Sequence, residues 1–299
     1  MLKCLLLLVP AVLLTAADRK LAITFDDLPR GGDGGSVTLP DVRALNERLL
    51  RTFRDQKIPI TGFVNEGRKV AFGPEGLRQI LDLWLDYGAD LGNHTYSHPN
   101  IDDMPIEQYT RDIVKGEPVL RAALAAHRKT LRYFRHPYLH TGATPLIKQQ
   151  LQTFLDSHGY RVAPITFDTA DWEFASLYTR PQYRDRARHD YVPYMESVVA
   201  FFEKRSVEVT GREFPQILLV HVSELNADAA ADLLAMFRRR GYSFVSLDQA
   251  LADGVYRLPD TYAGTTGFSW IHRWGITKGM PEKHEPQPPE WVEKARAAR

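Results

Sequence analysis

The sequence predicts an α/β protein, a (β/α) barrel with about seven parallel strands. Short β-rich runs alternate with longer stretches of helical period from Leu21 onward, a pattern typical of parallel strands joined by crossover helices. Length alone allows one barrel-sized domain or two smaller ones, but the number of strand-like runs favours one barrel. Polar motifs directly after several of these runs support this class, because such barrels carry reactive groups at the carboxyl ends of their strands.

The strand-like and helix-like runs follow one another in regular order. The strand-like runs are residues 21–25, 59–64, 89–92, 131–134, 161–165, 217–222 and 243–246. The helix-like runs are residues 42–54, 76–87, 106–126, 146–158, 194–204 and 227–239. Pro105 is typical of a first helical turn, and Gly241 after three arginines is typical of a helix stop.

Residues 1–17 have the three parts of a secretory signal peptide: Lys3, an apolar run over 5–14, and small residues up to Ala17. We expect cleavage after Ala17 and export to the periplasm or the extracellular space. The apolar run is much shorter than the roughly 20 residues that cross a bilayer. An uncleaved anchor is therefore the less favoured interpretation, and we expect no stable membrane insertion.

The rest of the chain divides into a barrel domain, 18–254, and a C-terminal tail, 255–299, rich in proline and aromatic residues. The tail is expected to pack on the barrel or to trail from it. Trp270, His272 and Trp274 either stack on sugars or, the favoured interpretation, pack against the barrel exterior. We interpret the Arg- and Tyr-rich segment 180–190 as a solvated connection, and the glycine-rich segment 31–35 as a mobile rim.

Charge and cysteine content exclude several function classes. Lys and Arg total 38 against 37 Asp and Glu, so no basic excess points to nucleic acid. The single cysteine, Cys4, lies in the predicted signal peptide. The mature chain would therefore contain no disulfide and no cysteine nucleophile, and any metal would be held by nitrogen and oxygen.

Two histidines four residues apart, His94 and His98, are spaced to bind one metal ion. Pro99 disfavours helical geometry at His98, so we expect the pair in a loop or a single turn. The Asp26-Asp27 doublet follows the first strand and supplies a candidate third, anionic ligand. Two histidines and one carboxylate leave a coordination position open, which distinguishes catalytic from structural zinc sites.

Five motifs in sequence order resemble the signature of the polysaccharide deacetylases of carbohydrate esterase family four. Each motif alone has an ordinary explanation, such as a helix cap, a core histidine or a loop charge, but their combined order favours the family. The motifs are Thr24-Phe25-Asp26-Asp27, His94-Thr95-Tyr96-Ser97-His98, Phe134-Arg135-His136-Pro137-Tyr138, Asp168-Thr169-Ala170-Asp171-Trp172 and Leu219-Val220-His221.

This resemblance implies a deformed (β/α) barrel of about seven strands that hydrolyses N-acetyl, sometimes O-acetyl, groups on sugar polymers. It also implies a divalent metal, most often Zn²⁺, bound by Asp27, His94 and His98. Asp26 would be the general base, and Arg135 would pair with it and lower the pKa of its carboxyl group.

The remaining roles also follow from the resemblance. The backbone N–H of Tyr138 would stabilise the oxyanion. His221 would be the general acid, and Asp171 would orient it or raise its pKa. Trp172 and Leu219 would form the slot for the acetyl methyl group.

One departure from the family pattern affects the expected substrate. Family members commonly continue the first motif with glycine, whereas this chain has Leu28 and Pro29. The expected partner is an acetylated glycan, but two alternatives stay open. They are a hydrolase of C–N bonds in small amides on the same barrel, and a catalytically silent glycan-binding protein. The sequence does not determine the oligomeric state.

Overall fold

A computed structural model describes residues 19–298, apart from the side chains of residues 69 and 70. The predicted signal peptide lies outside the described residues. Within them the chain forms a sheet of seven parallel strands, which confirms the predicted fold class. The strands are β1 (Arg19–Leu28), β2 (Ile60–Val64), β3 (Asp90–Asn93), β4 (Tyr133–Phe134), β5 (Arg161–Val162), β6 (Gln216–His221) and β7 (Tyr242–Phe244).

The sheet curves into a deformed barrel. Its strand order is β5-β4-β3-β2-β1-β6, and β7 pairs with the first three residues of β1. The two ends of this order meet at one isolated parallel bridge between Phe167, which follows β5, and Leu218 of β6. The barrel is therefore closed on this side by a short contact.

The described residues contain eleven α-helices. They are α1 (Leu39–Asp55), α2 (Gly73–Tyr87), α3 (Ile106–Lys115), α4 (Pro118–Ala126), α5 (Pro145–Ser157), α6 (Asp171–Tyr178), α7 (Arg184–Thr210), α8 (Glu224–Arg239), α9 (Leu247–Leu251), α10 (Trp270–Thr277) and α11 (Glu290–Ala297).

The helices α6, α9, α10 and α11 were not predicted from the sequence, and two predicted segments have a different structure. The predicted helix over 106–126 is divided between α3 and α4, because Gly116 ends α3 and Pro118 occupies the first turn of α4. The segment predicted as a solvated connection instead enters α7, which starts at Arg184 and continues through Pro193. Buried Ala187 and Tyr191 explain this result, since they anchor the first turns of α7 in the core.

The core lies between the sheet and the surrounding helices. Phe25 of β1 packs edge-on against Phe53 of α1 and Trp84 of α2, with ring centroids 5.5 and 5.7 Å away. The buried Trp84 indole donates to the Asn46 side chain at 2.8 Å, so the polar group of this large ring is satisfied.

The C-terminal segment contains helices α10 and α11. Trp270 and Trp274 are buried, and α10 contacts α7 while α11 contacts α6. His272 is also buried, between Phe201 and Phe202 of α7. No helix in the described part of the chain has both the length and the apolar character needed to cross a membrane.

Candidate active site

A bulge at the end of β1 brings two adjacent carboxylates to the same side. Neighbouring residues of a regular strand point to opposite faces, but the register of β1 against β2 shifts between Phe25 and Leu28, and Asp27 adopts a left-handed φ of 67°. Bulges commonly redirect side chains in this way. As a result Asp26 and Asp27 both line one cavity of about 500 Å³.

The histidine pair lies in the loop after β3, as the sequence predicts. Asp112 of α3 holds this loop: one carboxylate oxygen accepts the N–H groups of Tyr96 and Ser97, each at 2.9 Å, and the other accepts the Ser97 hydroxyl at 2.8 Å. The His98 N–H donates to the Thr95 hydroxyl at 3.1 Å. These bonds turn the chain back so that the rings of His94 and His98 lie 4.8 Å apart.

Asp27, His94 and His98 form a group that could hold a metal ion. One ligand atom from each lies within 4.8 Å of the others, and Asp27 Oδ1 is 3.9 Å from His94 Nε2 and 3.6 Å from His98 Nε2. His94 Nδ1 bonds to the backbone oxygen of Arg135 at 2.9 Å. Because that oxygen can only accept, Nδ1 carries the proton and Nε2 presents a lone pair.

The residues present fit a divalent cation. Asp27 Oδ1 is buried and has no hydrogen-bond partner among the described residues, although its other oxygen pairs with Arg68 at 2.8 Å. Nitrogen and carboxylate oxygen are donors that divalent transition metals accept. A buried carboxylate oxygen without a partner is costly, and a cation at this position would satisfy it.

Electrostatics keep these three groups in the protonation states that ligands need. Burial alone would raise the pKa of Asp27, but Arg68 and the neighbouring histidines outweigh burial and lower that pKa to about 2. Burial lowers the pKa of His98, and it lowers the pKa of His94 strongly. Asp27 is therefore ionised and both imidazoles are neutral at pH 7.

The contact between Asp26 and Arg135 is weaker than the sequence led us to expect. Arg135 is fully buried, but its closest nitrogen lies 3.6 Å from Asp26 Oδ2, too far for a hydrogen bond. Its Nη2 donates instead to the Thr24 hydroxyl at 2.9 Å. Burial outweighs the charge of Arg135 and raises the pKa of Asp26 to about 6. The expectation of a lowered pKa was therefore wrong.

His221 and Asp171 form a closely bonded pair on the other side of the cavity. His221 is the last residue of β6, and the strand register places it beside Asp26. Asp171 is fully buried, and its Oδ1 accepts from His221 Nδ1 at 2.8 Å. Burial disfavours the charged ring, but the charge and hydrogen bond of Asp171 outweigh it and raise the pKa of His221 to about 9. His221 is therefore protonated at pH 7.

The structure brings the sequence-predicted site residues together. Eight of the ten line the same cavity, and the other two, Arg135 and Asp171, lie buried behind Asp26 and His221. The eight are Asp26, Asp27, His94, His98, Tyr138, Trp172, Leu219 and His221. The Tyr138 ring packs edge-on against His98 at 4.5 Å, and its side chain is 55% exposed.

Strained backbone is concentrated around this cavity. Among the described residues seven non-glycine residues have a left-handed φ, and five belong to the motifs named above or follow one directly: Asp27, Thr95, His98, Tyr138 and Leu139. Such conformations persist where surrounding contacts enforce them, and they cluster at functional sites.

Sequence reasoning missed several residues that support the site. Arg68 follows β2, and its position at a strand end was the available signal. Asn226 donates to Asp171 Oδ2 at 2.7 Å, and no sequence motif marks it. His136 and His140, to which the sequence gave no role, also line the cavity.

The glycine-rich loop after β1 is tied down, in contrast to the mobile rim that we expected. Arg30 forms two hydrogen bonds with Asp33, at 2.9 and 3.0 Å, and both side chains are buried. The Gly31 N–H donates to Val222 O at 2.7 Å, and the Thr179 hydroxyl donates to Asp33 O at 2.6 Å. The loop is thus fastened beside β6 and α6.

Similarity to solved structures supports the same architecture. The polysaccharide deacetylase Bc1974 from Bacillus cereus superposes with a TM-score of 0.53 at 18% identity, covering 76% of this chain and 90% of that chain. A pseudoenzyme of the CE4 family from Bacillus anthracis, BA3943, gives a TM-score of 0.52 at 15% identity, covering 79% and 66%. At these identities the similarity establishes the fold alone. The fold is therefore that of a deformed (β/α) barrel.

Family membership rests on the sequence comparison. The model of the polysaccharide deacetylase family matches residues 14–163, about half of the chain, and the chain belongs to this family, which confirms the resemblance inferred from the motifs. A peptidoglycan-N-acetylglucosamine deacetylase from Bacillus cereus is 25% identical over 160 residues, 54% of this chain and 49% of that protein. The chain thus spans about half the length of this curated relative.

Proposed function

We propose that this protein is an exported, metal-dependent deacetylase that removes acetyl groups from an N-acetylated, or alternatively O-acetylated, glycan. One observation carries the proposal: Asp27, His94 and His98 converge beside the carboxylate of Asp26 and across one cavity from the Asp171–His221 pair. A donor set for a cation, a proton acceptor and a proton donor are the parts that amide hydrolysis requires.

Asp27, His94 and His98 would hold the cation, for which we propose Zn²⁺. When bound, a divalent cation supplies Lewis acidity toward the acetyl carbonyl and makes water more acidic. Asp26 Oδ1, which is buried and has no hydrogen-bond partner among the described residues, would take the proton of the attacking water. Asp26 would thereby promote formation of the new C–O bond.

Tyr138 and His221 would complete the reaction. The backbone N–H of Tyr138 would stabilise the oxyanion that develops on the acetyl carbonyl oxygen. His221 Nδ1 is bound to Asp171, so Nε2 would donate the proton that the nitrogen needs as the C–N bond breaks. The products would be acetate and a free amine. Trp172 and Leu219 line the cavity and would hold the methyl group.

The test is acetate release from chitin oligomers, peptidoglycan and small N-acetyl compounds, combined with metal analysis of the purified protein. We expect stoichiometric metal, loss of activity with a chelator and recovery with Zn²⁺. Activity that survives complete metal removal would contradict the mechanism.

A hydrolase of small amides remains the second candidate. It is favoured by the cavity volume of about 500 Å³, which lies in the range of small-molecule sites. Acetate release from small N-acetyl compounds but not from polymers would select it. Glycan binding without acetate release from any substrate would instead identify a silent binding protein.

Export is proposed from residues 1–17 alone. We expect the protein secreted by its host to begin at Asp18, which N-terminal sequencing would check. An intact N-terminus in the exported fraction would contradict the proposed cleavage.

A further inference from the structure

The loop that carries Tyr138 needs support from outside its own sequence. Tyr138 and Leu139 both have left-handed φ values, 54° and 57°, a conformation that costs an L-residue about 1–2 kcal/mol. Two such residues in succession persist only if neighbouring contacts hold them.

Arg273 of α10 supplies one set of contacts to this loop. The side chain is fully buried, and it donates from Nη1 to Leu139 O at 3.3 Å and from Nη2 to the Thr141 hydroxyl at 2.6 Å. Its Nε donates to Asp260 at 2.9 Å. Nη2 also pairs with Asp260 at 2.7 Å and donates to Tyr262 O at 3.4 Å. Arg273 therefore ties the C-terminal segment, through Asp260 and Tyr262, to the loop, through Leu139 and Thr141.

Gly267 brings the backbone of the C-terminal segment against the same loop. A Cβ atom at this position would lie 1.8 Å from the carbonyl oxygen of Tyr138, so any other residue would displace the Tyr138–Leu139 peptide. Nearby, the Gly264 N–H donates to Gly142 O at 3.3 Å. The segment thus contacts the loop from Tyr138 to Gly142.

Arg296 of α11 contacts a different wall of the cavity. Its guanidinium carbon lies 4.2 Å from the centre of the Trp172 ring, and its Nη1 pairs with Glu173 at 2.7 Å. Trp172 is 46% exposed. A large exposed ring loses less rotamer freedom on binding when a stacked cation already fixes it.

We propose that the C-terminal segment, residues 255–298, supports the substrate cavity by positioning groups that act on the substrate. Gly267 and Arg273 position the backbone N–H of Tyr138, and Arg296 positions the ring of Trp172. This segment lies outside the part of the chain that the family model matches. The inference rests on the proposed function, because it assigns these residues to the support of the oxyanion site and the methyl slot.

The first test perturbs the loop without breaking the Arg273–Asp260 pair. Thr141→Val removes one hydrogen bond to Arg273, and Gly267→Ala pushes on the Tyr138 carbonyl. We expect kcat to fall about 10-fold and up to about 100-fold, respectively, with KM and zinc affinity unchanged, because the Tyr138 N–H acts only on the developing oxyanion. Gly254→Ala is the control, since its Cβ would meet only the end of the Arg257 side chain.

Amide hydrogen exchange over residues 137–142 gives a readout that does not depend on activity. We expect faster exchange in Thr141→Val and Gly267→Ala than in the wild-type protein and Gly254→Ala. An inactive wild-type protein would overturn the proposed function, while the exchange rates would still decide whether the segment holds the loop. Unchanged exchange together with unchanged kcat would overturn the inference.

The second test addresses Trp172. Arg296→Met keeps the aliphatic stem but removes the charge, and we expect a KM increase of about 3-fold at constant kcat. Arg296→Lys keeps a charge for Glu173 but not the planar stack, so it should restore KM only in part. Trp172→Ala should raise KM more than either variant. An unchanged KM in Arg296→Met alongside a raised KM in Trp172→Ala would contradict the role of Arg296.

Discussion

The two sides of the cavity differ in how completely their buried polar atoms are paired. On the side of His221, Asp171 accepts three hydrogen bonds, from the ring and the backbone N–H of His221 and from Asn226, at 2.7 to 2.8 Å. On the side of β1, Asp26 and Asp27 each have a buried Oδ1 without a hydrogen-bond partner among the described residues. Buried polar atoms are normally paired. On the His221 side the protein itself supplies the hydrogen bonds that the buried carboxylate needs, whereas on the β1 side the two Oδ1 atoms call for another partner.

The same difference appears in the protonation of the histidines. The hydrogen-bonded Asp171 keeps His221 protonated, with a pKa of about 9 against the opposing effect of burial. Burial lowers the pKa values of His94 and His98. The surroundings therefore decide the protonation state of each histidine, and these states suit the proposed proton donor on one side and the proposed metal ligands on the other.

The largest expected effect distinguishes Asp26, the proposed base, from the proposed metal ligands on the β1 side. Asp26→Asn should lower kcat by about 10³- to 10⁴-fold and leave zinc affinity unchanged, because it removes a proton acceptor and no ligand. His98→Ala should lose both activity and zinc. Acetate release and metal titration check this prediction, with exposed Asp55→Asn as the control. An active Asp26→Asn variant would refute the assigned base.

The next largest effect on activity concerns His221, on the side where the buried carboxylate is fully hydrogen-bonded. His221→Gln should lower kcat by about 10²- to 10³-fold. Activity of the wild-type protein should fall as the pH rises through about 9, where His221 loses its proton. The variant should lack this alkaline decrease in a profile of kcat/KM against pH. A variant that keeps the same alkaline limb would show that another group is the acid.

Weakening the hydrogen-bonded pair of His221 and Asp171 should give a smaller change in activity. Asp171→Asn removes the charge that raises the pKa of His221, so that pKa should fall and the alkaline limb should move to lower pH. At pH 8 we expect kcat/KM to fall about 2- to 100-fold, the result of a pKa decrease of about one to three units. A loss of activity with no shift of the limb would indicate a purely structural role for Asp171.

The smallest effect should come from the loop that carries His94 and His98, the proposed metal ligands. Asp112→Ala removes the acceptors for Tyr96 and Ser97, and we expect zinc affinity to fall about 10-fold with both histidines in place. Exposed Asp103→Ala is the matched control. Equal zinc affinity in the two variants would mean that the loop holds its conformation without Asp112.

The sequence was most informative where residues with reactive side chains lie at the ends of predicted strands. All five motifs come from loops or strand ends on one face of the barrel, so their side chains could be grouped without coordinates. The helix boundaries were harder to predict from the sequence. Gly116 and Pro118 divide α3 from α4, but the apolar period continues through both helices and predicted a single one.

The supporting contacts could not be predicted because they join distant parts of the chain. Arg273 and its partner Thr141 are separated by 132 residues, and no local pattern relates them. The pKa of Asp26 likewise depends on how deeply β1 is buried and on an Arg135 nitrogen 3.6 Å away. A motif gives the residue types, but it does not give the balance between burial and nearby charge that sets a pKa.

The bulge in β1 has a mechanical consequence. Asp26 and Asp27 are joined by a single peptide unit, so their Cα atoms are held about 3.8 Å apart whatever the barrel does. His221 is held beside them by noncovalent contacts, chiefly the pairing of β1 with β6. A small change in the barrel can thus alter the distance from Asp26 and Asp27 to His221, the proposed proton donor, while the backbone separation of Asp26, the proposed base, from Asp27, the proposed metal ligand, is fixed by covalent bonds.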